Sequence, residues 1–151
     1  MIEHRIDIVN LPQVSGGLLN IERELGLLKP LWQQFGSEFY RQETDHFAVE
    51  PWVALSPSYA EWKRQEFGDK PILRATDALF RSLTQEGAEG NVHRVNDLDA
   101  EFGSSDFKAM LHFKGTAIMP ARNPMADPNI DRYTTIAGEY LDGLVRKAGF
   151  N

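Results

Sequence analysis

The chain contains no cysteine. Disulfides, thiolate nucleophiles and sulfur-ligated zinc are therefore excluded. No apolar run approaches the ~18 residues that a membrane span requires. Cations are in deficit, with 16 Lys and Arg against 22 Asp and Glu and a formal charge of -6. Neutralising phosphate needs clustered cations, so neither nucleic acid nor an anionic membrane is expected to attract the whole molecule, and any meeting with DNA is expected to be weak or merely spatial. Histidine is scarce as well. His4, His46, His93 and His112 include no pair three or four residues apart, the spacing that sets two metal ligands on one helical face. The opening Met1-Ile-Glu-His-Arg-Ile-Asp is acidic where a secretory leader is basic, which predicts a soluble protein made in a cytoplasm.

Other catalytic signatures are missing too. Ser56, Ser58, Ser82, Ser104 and Ser105 lie in no Gly-x-Ser-x-Gly elbow. The carboxylates at Asp45, Glu50, Asp97, Asp99 and Glu101 read as solvated turn residues of an acidic protein. Gly16-Gly17 and Gly103-Ser104 are too short to cradle a phosphate. Lys63-Arg64 and Arg146-Lys147 fall late in predicted helices, where cations complement the macrodipole. No catalytic, cofactor-binding or metal-binding residue is expected, and the chain does not read as an enzyme.

What is present is material for a core. With 151 residues, 42% of them hydrophobic and 11% aromatic, the chain suits one domain spanning 1–151. A short strand is predicted over 2–9, where Ile2, Ile6 and Ile8 fall on even spacing, and the stretch from Leu11-Pro12 to Gly16-Gly17 should interrupt it. Ile21, Leu25, Leu28, Trp32, Phe35 and Phe39 then recur every three or four residues, one helical stripe that reads as core, its aromatic end alternatively a subunit contact. Pro30 inside the stripe predicts a kink or two helices meeting near Lys29. Ser56 can cap a helix with Pro57 in its first turn and Gly68 at its end. Ile72, Leu73, Thr76, Leu79, Phe80 and Leu83 predict a further helix. Brief strands are expected at 92–95, 98–102 and 116–119, a helical turn or two around Phe107, Met110 and Leu111 ending at Gly115, and a last helix over 129–147. The class is α+β, with N-terminal, central and C-terminal helices packed on a short, mostly antiparallel sheet.

One order of residues goes beyond a fold class. Trp52 is followed by Leu55-Ser56-Pro57-Ser58-Tyr59, Lys63, Ile72-Leu73, Thr76, Leu79 and Ser82-Leu83. The pattern resumes with Glu101-Phe102-Gly103-Ser104, Ala109, His112, Gly115-Thr116 and Pro120-Ala121-Arg122. This order, over most of residues 35–125, resembles the phage virion morphogenesis family, the tail completion proteins of Mu-like and related tailed phages. The chain departs from the pattern at Asp77, where the family places glycine, and at Asn123-Pro124-Met125, where the family has proline and an aromatic residue.

The resemblance implies a structural subunit that completes or terminates the tail and helps join it to the head, as a ring at the neck of the virion, often a hexamer in tails of this type. Its partners would be further copies, the tail tube and head-tail connector proteins, with DNA only as passing cargo and no membrane. A head-side connector or stopper, or an assembly chaperone absent from the finished particle, is the alternative. Trp52, Leu55, Leu73, Leu79 and Leu83 are expected in the core. Pro120 and Pro124 stiffen the segment that carries Arg122, and a stiff segment loses little entropy on docking. Subunit or ring contacts are accordingly expected at Arg122, His112, Phe113, Lys114 and Met125, with an intramolecular role for Arg122 equally open.

Overall fold

A computed structural model describes residues 11–150, so the strand expected over 2–9 lies outside the described residues. Six helices and one hairpin follow in order: α1 (Leu11–Leu25), α2 (Lys29–Val49), α3 (Pro57–Phe67), α4 (Ala78–Thr84), β1 (Asn91–Val95), β2 (Ala100–Ser104), α5 (Phe107–Lys114) and α6 (Ile130–Lys147). The two strands pair antiparallel, with Asn91 opposite Ser104 and Val95 opposite Ala100. The α+β class holds, with helices packed on a small antiparallel sheet.

The apolar stripe divides into two helices, because Pro30 has no amide to donate and so falls in the first turn of α2. The segment 11–17, expected as a break, is helical. Glycine there serves close packing: a Cβ on Gly17 would stand 2.7 Å from the Ala148 carbonyl oxygen, so the bare backbone lets α1 close on the end of α6.

α2 is the central element, with α4 and the hairpin on one side and α6 on the other. Phe39 and Phe47 meet Leu79 and Leu83 of α4 in the buried core, and Phe102 of β2 packs against them. Phe39 and Phe102 stack at 5.8 Å. At Gly36 a Cβ would come within 2.9 Å of the Phe102 ring, so glycine sets how close the helix sits to the sheet. Toward α6, Phe35 meets Tyr133 edge-on at 4.9 Å, and Arg132 lies 3.6 Å from the buried Glu38. Glu43 is buried on α2 as well, accepting the Ala126 amide at 3.1 Å.

Two predicted elements are corrected. The helix expected from Ile72 begins only at Ala78, because Leu73 (φ 61°) and Asp77 (φ 60°) take left-handed conformations that break the helix before it starts. The strand expected at 116–119 is a turn, closed by the Thr116 amide donating to the Met119 carbonyl at 2.8 Å.

Candidate binding cleft

A cleft of about 660 Å³ opens between α3 and the segment that follows α5. Its first wall is set by the start of α3, where Ser56 Oγ accepts the Tyr59 amide at 3.4 Å and Pro57 fills the first turn. Tyr59 and Trp62, three residues apart, then share one helical face with rings 5.3 Å apart, and both are about half exposed at the lip. The facing wall is Lys108 and His112 of α5 with Ile118, Met119 and Pro120 of the turn beyond it; Leu73, Ala78 and Leu79 close the floor. Ile118 is 97% exposed. With Tyr59 and Trp62 it groups exposed apolar side chains around one cleft, and it is the grouping that marks a surface suited to being covered.

Buried cations hold the walls in place. Arg122 is only 6% exposed; its Nε donates to the Val53 carbonyl at 2.8 Å and its Nη2 to the Ala54 carbonyl at 3.0 Å. Its own amide donates to the His112 carbonyl at 2.6 Å. One residue, through its side chain and its own amide, thereby ties the strap before α3 to the end of α5. Lys63, the one buried residue of α3, donates through Nζ to the carbonyls of Lys70, at 2.9 Å, and Pro71. Burial pulls the Lys63 ammonium below its ordinary pKa. His112 is likewise held below the usual histidine range, first by burial and then by the Arg122 charge, and its Nδ1 is buried without a hydrogen-bond partner.

The expected residues divide as follows. Leu79 and Leu83 are core, with Leu83 fully buried, while Trp52 and Leu73 pack against that core partly buried. Trp52 donates its indole N–H to the Asn123 carbonyl at 2.6 Å, the acceptor that His46 also meets at 3.1 Å. Leu55 lines the cleft rather than the core. Of the expected contacts, Phe113 and Lys114 are exposed and His112 lines the cleft. Arg122 and Met125 are corrected. Of the two roles open to Arg122, contact or intramolecular, the structure shows the second, for it is buried by neighbours distant in sequence, at Val53 and Ala54. Met125 packs inward against the core. Sequence reasoning missed Trp62 and Ile118 as surface residues and Lys63 as a buried tie. Helical spacing places Trp62 with Tyr59, but only the tertiary fold leaves that face uncovered.

Compared with known protein families, with curated proteins and with solved structures, the chain matches none.

Proposed function

We propose that this chain is a structural subunit of a tailed-phage particle that completes or terminates the tail and assists its joining to the head, assembling with further copies as a ring. The observation that carries this reading is a convergence. Three separated stretches of the family-like pattern meet around one cleft: Leu55, Ser56, Tyr59 and Lys63; Leu73, Thr76 and Leu79; and His112, Pro120 and Arg122. An apolar cleft with an exposed aromatic lip works by binding, releasing water from a partner's apolar surface as well as its own. The acidic balance, -6 overall, suits a part that DNA must pass without adhering. Among the described residues no helix is long and apolar enough to cross a membrane.

The test is made on the phage whose genome encodes the chain. Mass spectrometry of purified particles should find it, and interrupting its gene should leave tails and filled heads unjoined in lysates seen by electron microscopy. Its absence from particles that still require the gene would make it an assembly chaperone, and normal infectivity without it would sink the reading.

A further inference from the structure

The two ends of α2 carry surfaces that complement each other. At the C-terminal end, His46 and Trp52 meet Asn123, and the adjacent Arg122 forms part of the cleft wall. In a chain where acids outnumber bases, the cleft is lined by the exposed Lys108, with the buried Lys63 and Arg122 behind its walls, and by no carboxylate among the described residues. At the N-terminal end, the hairpin turn is pinned to the α1–α2 corner: the Leu28 amide donates to the Asp97 carbonyl at 2.8 Å, and Lys29 Nζ lies 3.6 Å from the Asp97 carboxylate. Leu98, 67% exposed, projects there between the exposed Asp97 and Asp99, with exposed Leu27 on the adjoining corner. Asn96 braces the turn, its amide on the Asp99 carbonyl at 2.8 Å and its side-chain nitrogen on the Asp99 carboxylate at 2.9 Å. A braced apolar knob rimmed by carboxylates thus lies at the opposite end of α2 from an apolar cleft whose charges are cationic.

We propose that the Leu27–Leu98 knob of one copy of this chain seats in the Tyr59–Trp62 cleft of the next, with Asp97 and Asp99 answering the cationic side around Lys108. The proposal rests on the ring-forming reading and names the two surfaces that make the ring. α2 spans 21 residues, so at 1.5 Å per residue its ends lie roughly 30 Å apart. A knob that far away cannot fill its own cleft, and the contact is head-to-tail. Heterologous contacts of that kind close into rings when the rotation per subunit allows it. Burial of an exposed leucine and pairing of opposite charges supply attraction and register, and the braced turn loses little freedom on docking.

The full chain carrying the photo-crosslinking residue p-benzoylphenylalanine in place of Leu98 tests this directly. Irradiated at high concentration and in assembled particles, it should give a ladder beyond the dimer, with crosslinks mapping to α3 or the Ile118 turn of a second copy. In sedimentation, Leu98→Asp and Trp62→Glu should each weaken self-association roughly ten- to hundredfold with the melting temperature unchanged. Mixing the two variants should restore dimers and nothing larger, because one intact knob then meets one intact cleft. Should Trp62→Glu fail to fold, Tyr59→Glu reads the same surface. Crosslinks elsewhere on a second copy, with rings still present, would overturn the knob-and-cleft contact and leave the ring reading standing. No crosslink between copies in solution or in particles would overturn both; if Trp62→Glu then still blocked head-tail joining, the cleft's occupant would be a different protein.

Discussion

Glu43 and Glu38 sit on α2, five residues apart, both buried, and their different partners shift them in opposite directions. Glu43 has the Ala126 amide as its partner, and burial pushes its carboxyl up to about 7 against the pull of that bond. Glu38 accepts two bonds from Arg41, at 2.5 and 3.1 Å, and one from Gln42, which bring it down to about 2 despite burial. A carboxyl whose folded value is raised contributes stability in full below its unfolded value of about 4.5, and loses it as pH climbs through 7. A lowered one contributes above 4.5 and loses it as pH falls toward 2. From this pair, stability peaks near pH 4.5. His112 opposes Glu43 in the upper part of the range, since its neutral form is favoured and it charges more readily once unfolded. Comparing Glu43→Gln with the unaltered chain isolates the effect: the decline between pH 4.5 and 7 in denaturant midpoint should shrink, and an unchanged profile would show that Glu43 is solvated. Arg122 makes a second case. Reversing its charge sets a carboxylate against the Val53 and Ala54 carbonyl oxygens, so Arg122→Glu should cost at least about 3 kcal/mol in thermal unfolding.

At the scale of elements, the turn before α4 explains a departure from the family-like pattern. The glycine position after Thr76 holds Asp77 here, with φ at 60°, a conformation glycine adopts freely and aspartate tolerates. Asp77 is held there by Lys70 at 2.9 Å and Arg74 at 2.8 Å, which also depress its pKa. Asp77→Gly trades those ion pairs for relief of the backbone and should change stability by less than about 1 kcal/mol, whereas Asp77→Val, β-branched in the same conformation, should cost about 2 kcal/mol more. Equal midpoints for the two variants would show that the turn relaxes.

The same turn shows what was legible in the sequence. Capping signals act within a few residues, so α3 from Ser56 to Gly68 and α5 ending at Gly115 could be read directly. The apolar spacing of 72–83 was real, since Leu73, Leu79, Phe80 and Leu83 belong to one core, but a left-handed residue can deliver a side chain to a core without a helix. The cleft was half legible. Its residues stood out as a pattern, while the burial of Arg122 and Lys63 depends on carbonyls that no local spacing reveals.

For the molecule as a whole, charge placement matters more than the sum. A net charge of -6 makes copies repel at long range, and an acidic knob meeting a cationic cleft reverses that repulsion at one orientation only. Exposed charges such as Lys108, Asp97 and Asp99 are screened by salt, with a Debye length of about 10 Å at 0.1 M and about 3 Å at 1 M. The apolar contact of Leu98 with the Tyr59–Trp62 wall is not screened. Two salt effects on self-association therefore oppose each other: screening weakens the specific pairing and relieves the general repulsion. Asp97→Asn with Asp99→Asn separates them, because it removes the pairing and lowers the repulsion slightly. At low salt the double variant should associate more weakly than the unaltered chain by roughly two- to fivefold, about 0.5 to 1 kcal/mol for the lost pairing with Lys108, the exposed cation of the cleft. At 1 M salt the two chains should converge, because only the apolar contact remains. Sedimentation equilibrium across that salt range reads both points. A double variant that associates more tightly at low salt would show that repulsion dominates, and that the aspartates face something other than the cationic side of the cleft.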